Sequence, residues 1–170
     1  MQNRINQIAK EYFDWNFFWN ESASKQDKIN SQAQHFKAKF PKGERMMIDT
    51  FRDEFPEAKI SKFSYFMEED RCLSYEITFE KVSYNCCISI FCYFIIYPLS
   101  GPKRYIDTGD NREVDELFHK VISKSFPGIE WISNEELQEP INHFNLGFSQ
   151  APTDEIDDPI YVGNLLTRFH

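Results

Sequence analysis

The twelve residues Cys86-Cys87-Ile88-Ser89-Ile90-Phe91-Cys92-Tyr93-Phe94-Ile95-Ile96-Tyr97 carry no charge, no Gly and no Pro. They are dense in β-branched and aromatic side chains, which fit a pleated surface, so the stretch reads as a strand covered on both faces. With a period of two, Cys86, Ile88, Ile90, Cys92, Phe94 and Ile96 point one way, and Cys87, Ser89, Phe91, Tyr93, Ile95 and Tyr97 the other. Both sides need a partner layer. At about 3.3 Å per residue the stretch would run roughly 40 Å, longer than most strands, so a bend or bulge is expected within it. A membrane span needs roughly 18 or more apolar residues, which this run does not reach.

The flanking segments supply the layers. Residues 2–19 read as a helix, with Ile5, Ile8, Ala9, Tyr12 and Phe13 on one face and Trp15, Phe17, Phe18 and Trp19 around its last turn. Ser24, followed by Asp27, reads as an N-cap for a second helix with an Ile29, Ala33, Phe36 and Phe40 stripe, ended by Pro41-Lys42-Gly43. Residues 44–55 make a third helix, with Met47, Phe51 and Phe55 on one face and Pro56 behind it. From Lys59 the period changes to two. Residues 60–67 read as a strand, and 73–80 alternate with Leu73, Tyr75, Ile77 and Phe79 inward and Ser74, Glu76, Thr78 and Glu80 outward, the pattern of a half-solvated antiparallel strand.

Residues 81–85 are expected to turn the chain into the central strand, and 98–102 to turn it back toward a strand over 103–108. Asp110 and Glu113 then give a capping-box-like start to a helix over 111–126, with Val114, Leu117, Phe118, Val121, Ile122 and Phe126 at helical spacing and Pro127-Gly128 as its stop. Residues 129–132 add a strand, Ser133 with Glu136 caps a short turn, 141–159 reads as loop and 160–169 as an edge strand. The expected fold is α+β in one domain spanning 1–170. N-terminal helices cover or wrap a central antiparallel sheet of about four to five strands, and the amphipathic helix 111–126 packs on it.

Seventeen Phe, eight Tyr and three Trp against six Gly mark a folded chain with a sizeable core. Residues 1–7 lack the apolar segment of a secretory signal, so a cytoplasmic location is expected. Cys72, Cys86, Cys87 and Cys92 form no C-x-x-C pair, so they read as reduced core thiols rather than zinc ligands or nucleophiles. His35, His119, His143 and His170 are scattered without metal-ligand spacing, and Asp154-Glu155-Ile156-Asp157-Asp158 lacks the alternation and Gly of a calcium loop. No phosphate-cradling Gly loop, zinc-binding helix motif or nucleophile elbow is present. Glu76 and Glu80 share a strand face at a spacing two catalytic carboxylates could use, although a polar sheet face accounts for them equally. The expectation is a chain that is not an enzyme, with no cofactor and no metal.

Charge is uneven. The net charge is −8, and between Ser125 and Thr167 lie eight acids, Glu130, Glu135, Glu136, Glu139, Asp154, Glu155, Asp157 and Asp158, with no Lys or Arg. Without them 19 acidic residues face 19 basic ones, so the whole imbalance belongs to the C-terminal quarter. Lys103-Arg104 is too small a basic pair for a nucleic-acid track. The acidic segment is either a solvated surface or a docking face for a basic partner.

An acidic, aromatic-rich α+β chain of this size without a catalytic signature resembles, in whole-chain character, the immunity proteins that bacteria pair with polymorphic toxins, including those of contact-dependent growth inhibition. The resemblance implies a cytosolic, non-catalytic protein that neutralises a cognate toxin, often a nuclease, by covering its active site or another essential surface. A nuclease domain must be basic to hold phosphate, and an acidic inhibitor gains steered association with it. On this reading Glu130, Glu135, Glu136, Glu139, Asp154, Glu155, Asp157 and Asp158 contact the toxin. Trp131, Phe144 and Phe148 are candidate apolar anchors, unless Trp131 belongs to the core. Oligomeric state stays open. The competing reading is a small-molecule-binding or enzymatic domain resembling the cone-shaped nuclear-transport-factor-2-like fold, whose mark would be polar groups pointing inward from the sheet, such as Ser89, Tyr93 and Tyr97. A third is a structural subunit that self-pairs through 160–169.

Overall fold

The computed structural model describes residues 2–12, 23–62, 71–79, 82–98, 112–133 and 136. Within them run α1 (Gln2–Tyr12), α2 (Ala23–Lys39), α3 (Gly43–Glu54), β1 (Lys59–Lys62), β2 (Cys72–Phe79), β3 (Val82–Ser89), β4 (Tyr93–Pro98), α4 (Arg112–Ser125) and β5 (Glu130–Trp131). The strands form one sheet in the order β1-β2-β3-β4-β5. The chain is α+β, as its period changes imply. The expected strands over 103–108 and 160–169, the loop 141–159 and the aromatic turn Trp15–Trp19 lie outside the described residues. Among the described residues no helix is long and apolar enough to cross a membrane.

The central stretch is two strands rather than one. β3 ends at Ser89, residues 90–92 turn, and β4 returns from Tyr93 in antiparallel register, with Cys86 opposite Ile96 and Ile88 opposite Phe94. No Gly, Pro, Asn or Asp marks this turn, and Ser89 supplies the missing chemistry. Its Oγ accepts from the Phe91 N–H at 3.3 Å, and its carbonyl accepts from the Cys92 N–H at 3.0 Å. Cys92 takes the left-handed backbone conformation at φ 66°, the closing residue of a three-residue hairpin loop. Six positions separate Ile88 from Phe94, so the alternation keeps its phase and the two faces read from the sequence survive the fold-back. Residues 82–85, expected to be a turn, belong to β3.

The sheet is mixed rather than wholly antiparallel. Its first four strands pair antiparallel, whereas β5 pairs parallel to β4. A parallel neighbour requires a crossover, and α4 lies within that connection.

One sheet face carries Leu73, Tyr75, Ile77, Tyr84, Cys86, Ile88, Phe94 and Ile96, all buried. α4 packs there as its Phe118, Val121 and Ile122 stripe requires. The Phe118 ring lies 5.7 Å from Tyr84 and 5.0 Å from Phe51 of α3. α3 presents the expected Met47 and Phe51, with Phe55 half-buried. Glu44 at its start pairs with Lys62 of β1, whose ammonium lies 5.8 Å from the Tyr75 ring. α2 buries Ile29 and Phe36 and begins at Ala23, so Ser24 falls inside the helix rather than capping it. α1 and α2 meet the β3–β4 turn. The Tyr12 ring lies 5.0 Å from Phe91, and Gln32 Nε2 donates to the Ile90 carbonyl at 2.9 Å.

α2, α3 and α4 converge on Phe126, whose ring contacts Phe36 and Phe40 at 5.9 and 5.4 Å. Gly43, the first residue of α3, sits against it so closely that a Cβ there would lie 2.5 Å from Phe126 Cε1. Only a residue without a side chain fits at that contact.

The opposite face departs from expectation. Ser74, which alternation assigns to solvent, is 8% exposed, and Asn85 and Ser89, which flank its β3 partner Cys87 on the same face, are 7% and 0% exposed. Glu76 and Thr78 are half-buried. The face is polar but largely covered, and its groups bond sideways across the strands. Ser74 Oγ donates to Asn85 Oδ1 at 2.9 Å, and Cys87 Sγ lies 3.7 Å from the same oxygen.

Candidate functional site

The described acids of the C-terminal quarter lie at the β5 end of the sheet. Pro127-Gly128 stops α4, with Gly128 at φ 81°, and the chain then bonds to β4. The Glu130 and Ile132 N–H groups donate to the carbonyls of Cys92 and Phe94 at 3.0 and 3.1 Å. β5 is two residues long with both side chains exposed, and among the described strands it is an edge.

Alternation sends its two side chains to opposite faces. Trp131 follows Phe94 toward α4, where its ring lies 4.9 Å from His119, and His119 lies 5.1 Å from Phe94. Trp131 remains 38% exposed, so it is not a core residue. Glu130 follows Tyr93 to the polar face and pairs with Arg4 of α1. The Arg4 guanidinium lies 4.9 Å above the Tyr93 ring and also donates to the Phe91 carbonyl at 3.4 Å. Glu136 forms the expected capping box. Its carboxylate accepts from the Ser133 N–H and hydroxyl at 2.9 and 3.0 Å, while its own N–H donates to Ser133 Oγ at 3.2 Å.

Glu130, Trp131 and Glu136 are therefore brought to one corner, with both carboxylates engaged internally. Glu135, Glu139, Asp154, Glu155, Asp157 and Asp158, with Phe144 and Phe148, lie outside the described residues. Arg4, Tyr93 and His119 join the corner without a sequence signal that links them to it, since Arg4 and Glu130 are 126 positions apart.

The electrostatics follow from burial. Desolvation pushes the Tyr93 phenol up, the Arg4 charge opposes it, and Glu130, Cys92 and Glu136 add to it. Desolvation lowers His119 below the usual imidazole value, with Asp115 acting against the shift. The shift favours the neutral imidazole where its ring packs against Phe94 and Trp131.

Burial, with a smaller contribution from Cys72, pushes the Cys86 thiol up to about 12, away from the thiolate a nucleophile needs. Among the described residues no three His, Cys, Asp or Glu side chains are grouped to hold a metal ion. An open groove of about 560 Å³ runs along α3, lined by Pro41, Glu44, Arg45, Ile48, Asp49 and Arg52. Arg45 and Asp49 pair across its rim at 3.6 Å.

Comparison with protein families, with characterised proteins and with solved structures returned no match to this chain.

Proposed function

We propose that this chain is a non-catalytic immunity protein that binds a basic toxin domain, of the nuclease type, and neutralises it in the cytoplasm. The observation that carries the reading is Trp131. A large aromatic side chain stays 38% exposed on a two-residue edge strand, in the chain quarter that holds the entire acidic excess. An exposed aromatic anchor in an acidic stretch of chain is a pairing that protein interfaces with basic partners use, the ring for affinity and the charge for on-rate. The internal engagement of Glu130 and Glu136 shifts the steering role toward the remaining acids of the segment.

Capture from the native cell at low salt tests it. A single basic toxin domain should be recovered, released by salt and made harmless by this chain. Reversing Glu135, Glu139 and Glu155 together to Lys, which leaves the Ser133–Glu136 capping box in place, should slow association at low salt and leave thermal stability nearly unchanged. An on-rate unaffected by that triple reversal removes the acidic face as the docking surface.

The buried polar face supports a second reading. Ser74, Asn85, Ser89 and Tyr93 point to one side of the sheet, the arrangement a ligand-binding curved sheet would use. Native mass spectrometry of the purified chain distinguishes the two, because a retained small molecule favours the pocket and an exchangeable protein partner favours the immunity role.

A further inference from the structure

The corner at Arg4 is built like a ligand site with the ligand already supplied by the chain. Three groups hold the Arg4 guanidinium. They are the face of the Tyr93 ring at 4.9 Å, the Glu130 carboxylate, and the Phe91 carbonyl at 3.4 Å. An aromatic face, a carboxylate and a carbonyl are what a planar, donor-only guanidinium needs, and an ammonium uses such a set less well. All three belong to the β3–β4 turn, β4 and β5, which are joined by the sheet. The cation comes from α1, far away in the sequence.

Arg4 satisfies this receptor incompletely. Tyr93 is fully buried, yet among the described residues its hydroxyl has no hydrogen-bond partner. A phenol needs an acceptor for its proton, and arginine has none to offer. An arginine carried on a second polypeptide would bring main-chain carbonyls with it, and one of these could take the Tyr93 proton. Arg4 and Glu130 are each about half-exposed, so the corner is open to such a chain.

We infer that Tyr93, Glu130 and the Phe91 carbonyl form a receptor for an arginine side chain, that Arg4 fills it in the free protein, and that an arginine of the basic partner takes its place on binding. The partner half rests on the proposed function. The receptor half stands on geometry alone.

The receptor is tested by titrating the Arg4→Ala variant with ethylguanidinium, following the Tyr93 and Glu130 amides by NMR. Saturable shifts at millimolar probe are expected in R4A, absent from the wild type, weaker with ethylammonium and lost in R4A/E130Q. Equal or non-saturable shifts in wild type and R4A overturn the receptor. If R4A fails to fold, Arg4→Gln, which keeps the side-chain stem, carries the same titration. The displacement is tested with the basic protein captured by the wild-type chain. R4A should bind it roughly two- to fivefold more tightly, because no exposed ion pair must first open. Equal affinity, or weaker binding by R4A, overturns displacement, whereas capture of no basic partner removes the proposed function and leaves the receptor standing.

Discussion

The two faces of the sheet are both covered, but they are held by different physics. The face toward α3 and α4 is aliphatic and aromatic, and its contacts are rings meeting rings, Phe118 against Phe51 and Tyr84. The face carrying Ser74, Asn85, Cys87 and Ser89 is held by hydrogen bonds running along the sheet. The first is stabilised by area removed from water and depends on packing density. The second contributes little net energy per bond, but it penalises any rearrangement that separates partners inside a low-dielectric interior. A one-residue slip of β2 against β3 would exchange the two sets and leave the polar groups among rings. Alternation in a sequence thus reports the polarity of a face and not whether water reaches it.

Breaking the apolar face should have the largest effect. Phe118→Ala removes a fully buried ring that touches both α3 and β3, and a loss of about 3–5 kcal/mol is expected in urea unfolding. On the polar face, Asn85→Ala removes the acceptor of Ser74 Oγ inside the covered sheet and should cost about 1–3 kcal/mol. Ser74→Ala in that background should add much less than it costs alone. Additive losses in this double-mutant cycle would remove the lateral bond as the source of the face's stability.

The smallest effect expected is a pH dependence at the rim of the apolar face. His119 is lowered in the folded chain by desolvation, with Asp115 opposing, from an unfolded value near 6.5. The unfolded state therefore binds more protons just below that value, and stability falls as pH drops from about 6.5 toward the folded pKa. His119→Phe keeps the ring contacts with Phe94 and Trp131 and should flatten that part of the thermal-midpoint profile. A profile unchanged in H119F assigns the slope to other groups. Glu44 titrates lower still. Burial raises it, but the Lys62 and Tyr75 hydrogen bonds and the nearby lysine charges outweigh burial, so its contribution is lost only on the acid side of the ordinary carboxylate range.

Much of the architecture was legible wherever periodicity did the encoding. The stripe of α4, the Met47 and Phe51 face of α3 and the strand β2 all lie within a residue or two of where spacing puts them. The hairpin inside the central stretch was not legible, because a serine and a left-handed cysteine perform a turn for which Gly, Asn or Pro would be the usual signal. At the candidate site, Glu130 and Trp131 stood out by charge and by aromatic character. Their contrasting surroundings depend on which β4 residue each one follows, and that register is a tertiary fact. The Arg4 partnership is beyond any local pattern, since only the fold brings α1 to β5.

The junction at Gly43 and Phe126 bears on how the molecule opens. Three helices share a contact with no spare volume, so none of them can swing away while the other two stay seated. The amides that close this vertex, those of Phe40, Gly43, Phe126 and Ile129, all donate to carbonyls within it. They form one cooperative opening unit, and their hydrogen exchange should proceed at a common rate set by the vertex as a whole and not by the fraying of separate helix ends.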